Sequence, residues 1–383
     1  MRLAFWTTRE FLRLAFVSLF RRGMIPPRHR KSLLFCLTSF VLFSLAAPLH
    51  AICMLLDNFL FPGYRKVAVR APIFVIGNTR SGTTILHRVM AEDEEQFFCF
   101  RTWEILCPSV LEKKIASLVG QLDRWLGGRL KSFIERVEAE RFAQFNRLHR
   151  IGFFLPEEDD KLLLYVLASA DLVFFFPYAG FERMARLDVA LDAAAQRRIM
   201  DFYAGCVRRQ AYFKGGGRTL LSKNPWFTGK VENLLRLFPD CKIIYLVRNP
   251  LDVVPSSISV ARAIIRSTAG GESEADLDEQ AYEMIRFYYA YPLERLASLP
   301  DDRFLIVRYE DLVRQPKQVV LEIYERLGLS LTSAFEKRLD EEAAVMRNYQ
   351  SSHRYSLDSC TVSREQILSD LGPIFARFDF DTR

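Results

Sequence analysis

Two absences narrow the field first. The chain of 383 residues has only seven cysteines, an odd number, scattered with no Cys-x-x-Cys pair. A disulfide framework, a zinc site and a dithiol redox motif are therefore excluded as organising features. No Asn-x-Ser/Thr sequon occurs, which argues against a glycosylated lumenal domain. Internal repeats and low-complexity runs are also missing. What is present is apolar: 50% of residues are hydrophobic, 26% are charged, and Phe alone supplies 32. Such a chain is too apolar for disorder and long enough for one large domain with an appendage. Much of the net charge of +7 gathers near the N-terminus, beside an uncharged stretch. Membrane contact is the first reading of that arrangement, ahead of a diffuse nucleic-acid surface, and no nucleic-acid partner is expected.

From Ser32 to Leu56 no Asp, Glu, Lys or Arg occurs. At about 1.5 Å per residue such a stretch can cross a hydrocarbon core of about 30 Å, although Pro48 and His50 predict a kink, a tilt or a re-entrant path. Ahead of it, Leu3 to Phe20 reads as an amphipathic helix with Arg9 and Arg13 on one face. Arg21, Arg22, Arg28, Arg30 and Lys31 then form a basic collar suited to anionic headgroups. The 31 residues before the stretch are too long for the n-region of a cleaved signal peptide. A buried soluble helix is the plainer alternative. The collar favours an N-terminus in the cytoplasm, but Arg65, Lys66 and Arg70 flank the other end, so charge alone leaves topology open.

After the turn-rich Leu60-Phe-Pro-Gly-Tyr64 the pattern alternates. Strands are predicted at Ile73 to Gly77, Thr219 to Ser222, Lys242 to Val247 and Phe304 to Arg308. Helices are predicted at Thr83 to Ala91, Gly229 to Phe238, Leu251 to Ile265 and Lys317 to Leu327. This is an α/β fold, a P-loop-like parallel sheet flanked by helices. The expected division is a membrane segment over 1–66 and a catalytic domain over 67–383. A helical insertion at about 108–215, carrying the Phe-rich run Asp171 to Pro177, caps the sheet.

The most informative motif is Gly77-Asn-Thr-Arg-Ser-Gly-Thr-Thr84, set between a strand and a helix. Two glycines permit a tight turn whose N–H groups converge on an anion, and the following helix aims its positive end at the same point. Thr83 stands where a nucleotide P-loop has its Lys, and Arg80 supplies the positive charge instead. The loop therefore suits a phosphate or phosphosulfate bound without an obligatory metal, and no metal is expected. In a second motif, a strand ends in Arg248-Asn-Pro and the next helix carries Ser256. An Arg and a hydroxyl so placed can clamp a second phosphate, giving a nucleotide with separate 5′ and 3′ charges.

With both motifs in view, the chain resembles the sulfotransferases that use 3′-phosphoadenosine 5′-phosphosulfate, most of all a bacterial-type branch with Arg-Ser-Gly-Thr-Thr in the loop. The resemblance runs from about Pro72 to the C-terminus. It implies that Arg80, Ser81, Gly82, Thr83 and Thr84 hold the 5′-phosphosulfate, and that Arg248 and Ser256 hold the 3′-phosphate. Arg308-Tyr-Glu-Asp-Leu312 is similar to the family's Tyr-Glu-Asp element, which implies that Tyr309 lies near adenine. The C-terminal Arg-Lys-Gly loop of the cytosolic branch has no clear counterpart here.

Sulfuryl transfer to a hydroxyl needs a base for the acceptor proton and positive charge on the leaving phosphate. Arg80 meets that charge, and Lys223, at another strand end, is similar to a lysine near the sulfuryl group in the tyrosyl-protein branch. Glu104, beside Trp103, is the favoured base, with Glu157, Glu158, Asp159, Asp160, His149 and His87 as rivals. His353 with Arg354 is a further nucleotide-side candidate. The expected function is a sulfotransferase acting on a hydroxyl of a lipidic or hydrophobic acceptor, membrane-associated as a single-pass or monotopic protein. Its catalytic domain is expected on the cytoplasmic face, where bacteria make the donor and where dispersed free cysteines fit. A P-loop-type kinase and a non-catalytic membrane-associated nucleotide-binding scaffold are the alternatives.

Overall fold

The computed structural model describes residues 6–14, 46–141, 152–174, 182–268, 274–347, 357 and 360–382. At its centre lies a parallel sheet of β1 (Ile73–Gly77), β2 (Phe97–Phe98), β3 (Thr219–Lys223), β4 (Lys242–Val247) and β5 (Phe304–Arg308), in the order β2-β3-β1-β4-β5. The α/β reading of the sequence holds. Four strands were legible because each has a short apolar core between turn residues, fully buried in β1 and nearly so in β3 and β4. β2 went unread because two residues carry no period.

Alternation along β1 divides the core. Phe74 and Ile76 join one buried cluster with the long helix Ala193–Lys214 and the helix Pro250–Thr268, while Ile73 and Val75 join another with Thr83–Ala91 and Pro316–Arg326. From β1 the chain moves first to the β2–β3 side and only later to β4. The C-terminal end of β1 is thus a switch point, where open parallel sheets leave a crevice for ligands.

The helix expected from Gly229 to Phe238 is broken. A 3₁₀ turn, Pro225–Lys230, precedes the helix Val231–Leu237, and Asn224 caps the turn by accepting the Trp226 N–H at 2.9 Å. Between 108 and 215 the described chain carries α-helices and 3₁₀ segments and no strand.

Residues 32–45 of the apolar segment lie outside the described residues. Its remainder belongs to a helix over 46–60, which continues past the charged Asp57. Among the described residues no helix is long and apolar enough to cross a membrane. This helix is bound to the rest of the fold: Asp57 is fully buried, pairs with Arg209 at 2.8 Å, and accepts the Val110 and Leu111 N–H groups at the head of the helix Val110–Trp125. Of the expected N-terminal amphipathic helix, 6–14 is described, with Trp6 and Leu14 buried in the main core.

Candidate active site

The glycine loop closes the C-terminal end of β1. Gly77 (φ 151°) and Gly82 (φ 93°) adopt backbone angles that L side chains avoid. A Cβ on Gly77 would come within 2.5 Å of the Leu246 carbonyl oxygen, and one on Gly82 within 2.5 Å of the Tyr309 ring. Arg80 itself takes φ 67°, an uncommon conformation for a residue with a side chain. Its turn is held by Ser81, whose hydroxyl donates to the Asn78 carbonyl at 2.6 Å. Gly77 is pinned from both sides by Thr228, which accepts its N–H and donates to its carbonyl, each at 3.0 Å. Gly82 caps the helix Thr83–Ala91, whose first turn has N–H groups with no intrahelical acceptor. A positive helix end and a rigid turn thus face one point.

Cationic and hydroxyl side chains from three other elements meet this loop. Arg80 Nε donates to Ser256 Oγ at 3.1 Å, and Ser257 exchanges hydroxyl contact with Thr79 at 2.9 Å. Arg248, one residue beyond β4, donates to the Arg80 carbonyl at 3.1 Å and stacks over the Tyr309 ring at 4.3 Å. Tyr289 OH fixes the turn by donating to the Arg248 carbonyl at 2.6 Å. Arg80, Ser81, Gly82, Thr83, Thr84, Arg248, Ser256 and Tyr309 therefore occupy one crevice. Thr228, Ser257 and Tyr289 were not anticipated. Each is an ordinary helix residue in the sequence, and only the strand order brings it to the loop.

On the other side of β1, Val75 stands opposite Lys223 in register. Lys223 is 2% exposed and pairs with Glu158 at 2.6 Å, so it is no solvated surface lysine. His87, one turn into the loop helix, is buried beside them, with Nε2 3.4 Å from the Leu221 carbonyl. Burial first, and then the Lys223 charge, push its pKa down to about 3, so the ring is neutral. The neighbouring acids do not cap a helix in solvent. Asp159 accepts from Tyr203 at 2.6 Å and Ser222 at 2.8 Å, and burial raises its pKa to about 6. Asp160 pairs with the buried Lys230 at 2.6 Å, and Glu157 with Lys161 at 3.1 Å.

Glu104 sits elsewhere. It is fully buried, accepts the Arg101 N–H at 2.8 Å as the cap of the helix Thr102–Leu106, and lies 2.5 Å from Lys214. Lys214 ends the helix that enters β3 from the edge opposite the loop. His149, His353 and Arg354 lie outside the described residues.

A strand, a glycine loop and a helix at the switch point of a parallel sheet, with two arginines converging, define an α/β protein built to hold phosphate-like anions. The chain belongs to the sulfotransferase family, whose sequence profile matches residues 72–333. It is 27% identical over 315 residues to the omega-hydroxy-beta-dihydromenaquinone-9 sulfotransferase Stf3 of Mycobacterium tuberculosis and of Mycobacterium bovis, covering 81% of this chain and 75% of that protein. The crystal structure of sulfotransferase STF1 from Mycobacterium tuberculosis superposes with a TM-score of 0.68 at 20% identity, covering 96% of this chain and 92% of that one. Sulfotransferase STF9 from Mycobacterium avium gives 0.67 at 18% identity, covering 86% of this chain and 82% of its own. At these identities the two structures speak for the fold.

Proposed function

We propose that the protein moves the sulfuryl group of 3′-phosphoadenosine 5′-phosphosulfate to a hydroxyl of a lipidic acceptor, working on a membrane from its cytoplasmic face. One observation carries the reading: Arg80, Arg248 and Ser256 converge on a loop whose two glycines tolerate no side chain. That crevice fits a nucleotide charged at both its 5′ and 3′ ends. The lipidic acceptor rests on the relative whose name gives a menaquinone derivative as substrate, and on the apolar N-terminal stretch. The cytoplasmic face rests on where the donor is made and on the free cysteines.

When bound, the donor supplies an activated sulfuryl group and a phosphate leaving group. Arg80, Ser81, Gly82 and the first-turn N–H groups of Thr83 and Thr84 hold its 5′ end, Arg248 and Ser256 its 3′-phosphate, and Tyr309 offers a ring face to adenine. Lys223, beside the loop, adds charge on the leaving side. For the base, the geometry favours Glu158 over Glu104. Glu158 is partly exposed at the strand ends and oriented by Lys223, whereas Glu104 is committed to a helix cap and to Lys214. Glu158 takes the acceptor proton at its carboxylate, and neutral His87 walls the site without competing for that proton.

The test is 35S-labelled donor incubated with lipid extract, a long-chain polyprenyl alcohol, and soluble sugar and phenol acceptors. Label in the lipid fraction, lost in Arg80→Ala, is the expected result. Transfer only to the soluble acceptors contradicts the lipidic reading. Tight binding of 3′,5′-adenosine bisphosphate with no transfer to any acceptor makes the protein a scaffold.

A further inference from the structure

One exposed surface is apolar, and it joins the end of the apolar segment noted in the sequence to a helix that the sequence did not single out. Helix Val110–Trp125 places Ile115, Leu118, Val119, Leu122, Trp125 and Leu126 on its outer side, all exposed. Their spacing of three and four residues is that of a core-facing stripe, yet here it faces solvent. Trp125 is 84% exposed. On the helix over 46–60, Leu49, Ile52, Leu55, Leu56, Phe59 and Leu60 repeat the pattern, and Phe59 is 81% exposed. The two helices are fixed to one another. Asp57 caps the start of the second, His50 meets Glu112 at 2.5 Å, and Lys114 lies over the Phe61 ring at 5.4 Å.

Charge chooses the occupant. Lys114, Arg124, Arg129, Lys131 and Arg136 are exposed along this hairpin. Its acids are fewer on the exposed side: Glu112 is held by Ser109 and His50, Asp123 accepts the Leu130 and Lys131 N–H groups at 2.8 and 3.0 Å, and of the exposed Glu135 and Glu140 the first lies 3.7 Å from Lys131. An apolar stripe rimmed by exposed cations and led by an indole matches the interface of an anionic bilayer. In sequence, the uncharged run that begins at Ser32 leads into the helix at 46.

We infer that the paired outer faces of the 46–60 helix and of Val110–Trp125 form a monotopic docking surface that seats the protein on an anionic lipid bilayer. The inference rests on the proposed lipidic acceptor and gives it a route. Tyr165 meets the His50 ring edge-on at 4.7 Å and lies in the last turn of the 3₁₀ segment Asp159–Val166, whose N-cap is Glu158. Docking thus bears on the segment that carries the proposed base.

The experiment is flotation of the full-length protein with phosphatidylcholine vesicles, with and without phosphatidylglycerol. Leu118→Glu/Leu122→Glu and Leu49→Glu/Ile52→Glu change exposed side chains, and Val189→Glu, an exposed apolar residue away from the hairpin, is the control. Each double variant should lower partition into phosphatidylglycerol vesicles about tenfold or more, the control should not, and lipid bromination should quench the wild type more than Trp125→Phe. Three results overturn the inference: double variants that float like the wild type, a wild type that does not float, or double variants that only turn a dimer into a monomer. Binding of 3′,5′-adenosine bisphosphate by every variant reports separately on the fold and the donor site. If the lipidic-acceptor reading fails, label goes only to soluble acceptors while flotation stands.

Discussion

Gly82, like Gly77, is tightly constrained, since its backbone angle and the Tyr309 ring both exclude a Cβ. Gly82→Ala should cost about 1–2 kcal/mol in backbone strain alone and displace Tyr309, so affinity for 3′,5′-adenosine bisphosphate should fall steeply in calorimetry. Substitution at Arg248 should weaken the same binding while leaving the loop folded. His87 makes a pH prediction. Its folded pKa, about 3, lies below the ordinary imidazole value of about 6.5. Between those values the unfolded chain binds a proton that the folded chain refuses, so the contribution to stability is present above 6.5 and is lost as pH falls. Asp159, raised to about 6, acts in the opposite sense between its ordinary value and 6. His87→Gln, which keeps a donor for the Leu221 carbonyl, should therefore lose less stability than wild type between pH 7 and 5 in denaturant melts.

At the scale of elements, Asp57 joins three helices through Arg209 and the head of Val110–Trp125. Removing one partner of a buried, hydrogen-bonded pair costs about 3–5 kcal/mol, so Asp57→Ala should drop the melting temperature by many degrees. Seen in sequence, Asp57 merely ended an uncharged run. The limits of Thr83–Ala91 and Lys242–Val247 were legible because glycine and the apolar period mark them locally. The 3₁₀ break at Pro225–Lys230 was not, because it answers to Thr228 reaching Gly77 from 151 residues away. Glu104 has surroundings that are hidden in sequence for a similar reason. Beside an aromatic residue it has the local look of a catalytic carboxylate, and only the folded chain brings Lys214 to it.

Across the whole molecule, the sheet order brings two motifs far apart in sequence into contact, with Arg248 donating to the Arg80 carbonyl. The sequence carried the motifs and their chemistry, while the neighbours Lys223, Glu158 and His87 depended on β3 lying beside β1. The same assembly turns one helix of the insertion outward, and that stripe was invisible as a surface feature because its spacing equals that of a buried face. The central claim is that a loop-bound phosphosulfate is attacked by a hydroxyl whose proton goes to Glu158. Single-turnover transfer of 35S label to the lipid acceptor tests it most directly, comparing wild type with Glu158→Gln after each is shown to bind 3′,5′-adenosine bisphosphate. The account predicts a rate about 10²–10⁴-fold lower in Glu158→Gln with nucleotide affinity unchanged. A full rate in Glu158→Gln, with the loss appearing in Glu104→Gln instead, contradicts it.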